Sequence, residues 1–111
     1  MKELTKAEEM LLLAILRLKD NAYGVAIKQH IQKNTGKAIP YGTLYFILEQ
    51  LAKKGYVKRF TGESKPERGG RSRIYYSLTS EGSRALKYAY KMQQKIWNGF
   101  PELTWGEKTG K

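Results

Sequence analysis

Apolar residues recur at helical spacing in four stretches of the chain and alternate with other residues in a region between the third and fourth stretch. The periodic stretches predict helices over about 6–18, 23–34, 41–54 and 80–100. Segments 56–61 and 73–78 are rich in Val, Ile, Phe, Tyr and Thr, which predicts two strands. The chain is therefore expected to be mainly α with a small β-hairpin.

The third predicted helix has clear ends and two contrasting faces. Pro40 precedes its first turn, where a missing N–H costs nothing, and Gly55 follows two lysines at its end. One face is apolar and carries Leu44, Ile47, Leu48, Leu51 and Ala52. The opposite face combines a glycine and a hydroxyl with aromatic rings, in the set Gly42, Thr43, Tyr45, Phe46, Glu49, Gln50 and Lys53. This surface suits contact with an extended ligand, and the alternative is a helix packed on both sides.

Only a short turn, residues 36–40, separates the second helix from the third. Two helices joined in this way predict a helix-turn-helix, whose second member is the recognition helix and contacts base edges with its N-terminal residues. The helix-turn-helix residues expected at DNA are Tyr41, Gly42, Thr43, Tyr45, Phe46, Gln50, Lys53 and Lys54.

The two strands enclose a glycine-rich loop with a one-sided charge. Residues 58–73 hold six cations and two carboxylates, hence a net charge of +4. A basic hairpin beside a recognition helix predicts a wing that contacts phosphates, whereas an ordinary solvated hairpin does not explain the sign of the charge. The wing residues expected at DNA are Lys65, Arg68, Arg71 and Arg73.

Composition supports a polyanionic partner. The 111 residues suffice for one core, and 21 Lys and Arg against 10 Asp and Glu give a formal net charge of +11. There is no cysteine, and His30 is the only histidine and has no acidic residue at ligand spacing. We therefore expect neither an enzyme nor a metal site or cofactor. The apolar run at 11–16 is too short to span a membrane and lacks the features of a signal peptide. The absence of cysteine fits a reducing cytosol, so a cytoplasmic protein is expected.

The first helix is apolar nearly all round, and the last carries an apolar stripe beyond the expected three-helix core. Pairing the first helix of one subunit with the last helix of its mate would bury both surfaces. The expected interface of this homodimer consists of Leu12, Leu13, Leu16, Ala89, Met92, Ile96, Trp97 and Phe100. In such a dimer, two copies of Trp97 would lie near the dimer axis and could be part of a plain apolar core.

Two motifs resemble those of the PadR family of bacterial transcriptional regulators. The first is Tyr-Gly-Thr-Leu-Tyr-x-x-Leu-x-x-Leu-x-x-x-Gly-Tyr-Val at 41–57, and the second is Gly-Arg-Ser-Arg-Ile-Tyr-Tyr-Ser-Leu-Thr-Ser-Glu-Gly at 70–82. Tyr23-Gly24 at the start of the second helix is also similar to the family pattern. The resemblance implies a dimeric winged helix-turn-helix repressor with Thr43 and Tyr45 at the DNA face. The single C-terminal helix resembles the family's small members, some of which bind planar aromatic effectors. This resemblance implies that two copies of Trp97 near the dimer axis could line a slot for a flat aromatic ligand.

These observations predict a winged helix-turn-helix over 1–78, a C-terminal dimerisation helix over 79–100 and a loose tail over 101–111. The leading hypothesis is a sequence-specific regulator that binds double-stranded DNA. The alternative is a winged-helix module that binds proteins and not DNA, which an exposed Phe46 would favour and the net charge opposes.

Overall fold

The computed structural model describes residues 3–62 and 72–100, which form four α-helices and one antiparallel hairpin. In chain order these elements are α1 (Lys6–Leu18), α2 (Gly24–Thr35), α3 (Tyr41–Lys53), β1 (Val57–Thr61), β2 (Ile74–Leu78) and α4 (Ser80–Ile96). The predicted fold class is confirmed.

The spacing of Thr5 and Glu8, T-x-x-E, predicts a capping box, and this box forms at the start of α1. The Glu8 N–H donates to the Thr5 hydroxyl, and the Thr5 N–H donates to the Glu8 carboxylate, at 3.1 and 3.0 Å. The buried face of the helix includes Leu11, Ala14 and Ile15. Leu12 is also fully buried in the core of its own chain, so its prediction as a dimer contact was wrong. Leu13 and Leu16 are exposed, as that prediction requires.

The C-terminal end of each helix of the helix-turn-helix lies at the glycine that the sequence predicts. Gly36 ends α2 with a φ of 80°, and Gly55 follows α3 with a φ of 81°, a region that residues with a Cβ rarely adopt. The apolar face of α3 supplies Leu44, Leu48 and Leu51 to the core, while α2 supplies Ile27 and Ile31. The exposed face of α3 therefore points away from the three-helix core.

The hairpin is anchored to the start of α2. Its register pairs Val57 with Leu78 and Arg59 with Tyr76, and the Tyr76 N–H donates to the Ala22 carbonyl at 2.8 Å. In β2, Ile74, Tyr76 and Leu78 alternate with other residues and were expected to form the buried face, and Tyr76 is buried as expected. Ile74 is exposed, contrary to expectation, because it lies at the outer end of the hairpin, away from the core.

The last helix begins inside the domain. Thr79 caps α4 by accepting a hydrogen bond from the Gly82 N–H at 3.0 Å. Gly82 and Ala85 are buried, and a Cβ at Gly82 would lie 2.2 Å from the Tyr56 carbonyl oxygen. The expectation that the helix projects wholly beyond the core was thus wrong for its first turns. The helix ends at Ile96, earlier than predicted, and a turn with Gly99 at φ 80° follows.

A partly buried ion pair joins the end of α3 to the start of α1. The Lys54 ammonium donates to the Glu8 carboxylate at 2.5 Å, and the Glu8 side chain is almost fully buried. Burial raises the pKa of Glu8, but hydrogen bonds from Lys54 and Thr5 outweigh it and hold that pKa below its ordinary value of 4.5. Lys54 is therefore engaged within the protein, and its prediction as a phosphate contact is corrected.

Replacing Lys54 with Met should lower the free energy of unfolding by about 2 kcal/mol at neutral pH, because Glu8 loses a charged partner. A depressed pKa stabilises the fold above the ordinary value, and this contribution is lost as the pH falls through the folded-state pKa. The difference between wild type and Lys54→Met should therefore shrink below pH 4.5. Urea unfolding over a pH series measures it, with the exposed neighbour substitution Lys53→Met as the matched control. Equal effects of both substitutions would contradict the assignment.

Candidate nucleic-acid interface

The outer surface at the start of α3 is open and mixed in character. Tyr41, Thr43, Tyr45 and Phe46 are all exposed, with Phe46 reaching 62%. A Cβ added at Gly42 would meet no described atom within 4 Å, so the space beside this glycine is available to an external partner. Gln50, one turn further on, is half-buried. The predicted helix-turn-helix residues other than Lys54 thus lie along one accessible side of α3.

The two tyrosines of α3 are held by residues of α2. Tyr41 and Tyr45 stack with ring centroids 6.2 Å apart and an interplanar angle of 21°. The Lys28 ammonium lies 5.2 Å from the centroid of Tyr41 and donates to the Ile39 carbonyl at 2.7 Å. The Tyr45 hydroxyl lies against the backbone of Gly24, where a Cβ would be only 1.9 Å away. The ring of Tyr45 is thus laid across α2 instead of projecting straight from α3.

The wing is fastened to the helix-turn-helix by aromatic contacts. Tyr23, just before α2, makes an edge contact with Tyr75 of β2 at 5.6 Å, and Phe60 stacks on Tyr75 at 5.8 Å. The Arg73 guanidinium lies 4.0 Å from the centroid of Tyr23. Arg73 was predicted as a phosphate contact, and its half-buried side chain also joins the wing to α2. The other predicted wing cations, Lys65, Arg68 and Arg71, lie outside the described residues.

The hydroxyl group of Tyr76, the buried tyrosine of β2, is influenced by polar groups of the hairpin and of α3. Burial raises the pKa of the Tyr76 hydroxyl above its ordinary value of 10.0, the Arg59 guanidinium opposes this shift, and Tyr45 and Glu49 add to it. Arg59 of the wing and Tyr45 and Glu49 of α3 therefore lie close enough to Tyr76 to influence its hydroxyl group. Lys53 and Lys58 are exposed cations on the same two elements. Within the described part of the chain, no group of His, Cys, Asp or Glu side chains is arranged to hold a metal ion.

Sequence reasoning missed the residues that support this surface. Gly24, Lys28, Tyr23 and Tyr75 act through contacts between elements, which the periodicity of one helix does not reveal. The Tyr23-Gly24 pair was noticed only as part of a family pattern. A tyrosine followed by a glycine at a predicted helix start was the available indication that another residue packs closely there.

The predicted dimer residues divide into two groups. Leu13, Leu16, Ile96 and Trp97 are exposed, with Ile96 at 71%, and Trp97 packs edge-on against Phe100 at 4.9 Å. Ala89 and Met92 are half-buried in a groove of about 120 Å³ that they share with Leu4 and Glu9 of the same chain. The expectation that Ala89 and Met92 lack any partner within one domain was therefore wrong. Among residues 3–62 and 72–100, no helix is both long and apolar enough to cross a membrane.

Comparisons with known proteins agree with this architecture. The model of the transcriptional regulator PadR-like family matches residues 12–88. A PadR family transcription regulator from Clostridium difficile is 29% identical, with a TM-score of 0.63 over 84% of this chain and 96% of that one. RosR from H. salinarum is 26% identical, with a TM-score of 0.67 over 87% and 80% of the two chains. A PadR-like transcription factor from Bacteroides fragilis shares the fold at 24% identity, with a TM-score of 0.72 over 88% and 89%. No curated protein matches the chain.

Proposed function

Since the chain belongs to the transcriptional regulator PadR-like family, we propose that it is a sequence-specific, dimeric DNA-binding repressor. The observation that carries the proposal is the exposed face of α3, where two tyrosines and a threonine stand beside a basic hairpin. Family membership supports regulation of transcription, while the side chains support duplex DNA as the ligand. A repressor of this kind acts on DNA in the cytoplasm.

The proposed contacts divide into those that specify sequence and those that position the protein. The N-terminal half of α3 enters the major groove, where the Thr43 hydroxyl can bond to base edges and the exposed edges of Tyr41 and Tyr45 can contact thymine methyl groups. Cations of the wing neutralise phosphates, which sets orientation without carrying sequence information. The candidate cations are Lys53 at the end of α3 and five residues of the wing, Lys58, Lys65, Arg68, Arg71 and Arg73.

Substitutions on α3 and on the wing should have different effects. Tyr45→Ala should weaken binding to a selected duplex about tenfold more than binding to random duplex, because it removes a base contact. Lys58→Ala should weaken both equally, because its proposed partner is a phosphate. Titration of each variant with both duplexes measures the two effects. Equal losses for Tyr45→Ala on both duplexes would reduce Tyr45 to a backbone contact.

The dimer part of the proposal rests on exposed apolar residues at the two ends of the chain. Leu13 and Leu16 of α1 and Ile96 and Trp97 near the end of α4 leave apolar surface uncovered in one subunit. A two-fold pairing of α1 with the partner subunit's α4 would bury these side chains. It would also set two recognition helices about 34 Å apart, one turn of duplex.

A planar aromatic effector is the last part of the proposal. Trp97 is 57% exposed and forms an edge contact with Phe100, so two copies near a dimer axis offer stacking surfaces. A ligand that prefers one subunit arrangement would change the spacing of the recognition helices and release DNA.

Planar dyes should quench Trp97 emission in the wild type, and Trp97→Phe should reduce dye affinity because the larger indole face is lost. Fluorescence titration measures both effects. Trp105→Phe, outside the described residues, is the matched control and should bind dye normally. Unchanged dye affinity in Trp97→Phe would leave the dimer in place and remove the effector site.

A further inference from the structure

We propose that Gly24 and Lys28 of α2 are positioning residues for DNA specificity, because they hold the stacked Tyr41–Tyr45 pair in the orientation that meets the bases. This inference rests on the proposed function. It assigns a role in sequence discrimination to two residues of α2 that contact α3. Neither residue has to touch DNA for this role.

Any side chain at Gly24 would collide with Tyr45 in its present position, so Tyr45 would have to move. A Cβ there would lie 1.9 Å from the hydroxyl oxygen of Tyr45 and within 2.9 Å of two ring carbons. Gly24 is the buried first residue of α2, and its φ does not demand glycine. The absence of a side chain is therefore explained by the approach of Tyr45 and not by backbone geometry.

Lys28 supports the other half of the pair from one turn further along α2. Its ammonium donates to the Ile39 carbonyl at 2.7 Å and lies 5.2 Å from the ring centroid of Tyr41. The first contact fixes the turn that leads into α3, and the second places a cation beside the ring that stacks on Tyr45. Tyr41 and Tyr45 are each 44% exposed, so both rings keep a surface for a ligand while their other sides are fixed.

Fixing these rings before binding reduces the conformational entropy lost when they meet base edges. A small rotation of Tyr45 would also move its exposed edge away from any methyl group that it contacts in the major groove. Phosphate contacts from the wing would be unaffected. Loss of the α2 supports should therefore lower discrimination between sequences more than it lowers affinity for DNA in general.

The test is a double-mutant cycle on the full chain, with a duplex enriched by the wild type from a random pool and with unselected duplex. Gly24→Ala should reduce the ratio of selected to random affinity about tenfold, as expected for loss of a specific base contact. In a Tyr45→Ala background, Gly24→Ala should have no further effect, because the obstructing ring is gone. Val25→Ala, at the exposed neighbour on α2, should leave the ratio unchanged.

Folding of the Gly24→Ala variant is expected, because the atoms it meets form the end of a flexible side chain and Ala favours helix. A melting temperature equal to that of the wild type checks this. In the free wild type, nuclear Overhauser effects should connect the Gly24 α protons to the Tyr45 ring. Their absence would overturn the geometry whatever the protein binds.

Lys28→Met keeps the aliphatic stem and removes the donor, and it should also lower the affinity ratio, with no further effect in a Tyr41→Ala background. An equal loss on both duplexes would make Lys28 a phosphate contact and overturn its positioning role. An unchanged ratio in Gly24→Ala, or additive losses with Tyr45→Ala, would overturn the role of Gly24 while DNA binding stood. If the proposed function itself is wrong, the wild type will bind no duplex at low salt. This result is distinct from the two outcomes that overturn only the roles of Lys28 and Gly24.

Discussion

Raising monovalent salt from about 50 to about 200 mM should weaken DNA binding roughly 10³- to 10⁵-fold, if each dimer contacts about 6 to 10 phosphates. The formal charge of +11 per chain and the +4 carried by residues 58–73 supply the cations for such contacts. Each phosphate contact releases condensed counterions, so the logarithm of affinity falls linearly with the logarithm of salt concentration. Fluorescence anisotropy of a labelled duplex over a salt series measures the slope.

Two lysines provide a matched pair for this experiment. Lys58→Gln should reduce the slope by about 2 in a dimer, one for each lost contact, because this lysine is exposed on β1. Lys54→Gln removes the same charge but should leave the slope unchanged, because the Lys54 ammonium is paired with Glu8. A binding constant that barely moves with salt would contradict the nucleic-acid proposal. It would favour a winged-helix module that binds proteins, with the exposed Phe46 as a candidate contact.

Substituting Ile96 with Lys should convert the protein from a dimer to a monomer at micromolar concentration. Ile96 is 71% exposed in one subunit, and burying an Ile side chain contributes about 2 kcal/mol. In a two-fold dimer the substitution occurs twice, so the loss is about 4 kcal/mol, or roughly a 10³-fold weaker association. The introduced ammonium would also be forced into an apolar contact. Binding to a two-half-site duplex should fall with the loss of the dimer.

Gln94→Lys is the matched control for Ile96→Lys, because it adds the same charge two positions earlier, on the other side of α4. Gln94 is exposed, and its side-chain amide donates a hydrogen bond to the Tyr90 hydroxyl on the same helix, so this variant should remain dimeric. Sedimentation velocity at micromolar concentration distinguishes the two variants. A wild type that sediments as a monomer would reject the dimer proposal, and dissociation of both variants would move the interface elsewhere on α4.

Much of the candidate site could be predicted from sequence because α3 carries a strong local pattern. The spacing of Leu44, Leu48 and Leu51 fixes the buried face, and the positions on the opposite side of the helix are then turned toward solvent. Helical periodicity does not predict the direction in which a long side chain extends across a neighbouring helix. Tyr45 lies across Gly24, 21 positions earlier in the chain, and only the packing of α2 on α3 decides that contact.

The dimer prediction shows the same division. The first helix contains more apolar residues than one face can hold, and its sequence offered no reason to separate Leu12 from Leu13. The packing of the other elements on α1 buries Leu12 in the core and leaves Leu13 exposed. The sequence likewise places two lysines at 53–54, but it does not show that Lys54 forms an ion pair with Glu8, which lies 46 positions away.

The sequence by itself determined most element ends, the end of α4 excepted, because capping and turn formation depend on residues a few positions apart. The Thr5–Glu8 box, the positive φ at Gly36 and Gly55, and the Thr79 cap are all local, and all were predictable. Only the tertiary structure decided which side chains support the recognition surface. Gly24, Lys28 and Tyr23 acquire their roles from α3 and β2, and packing between distant segments depends on the whole set of element positions.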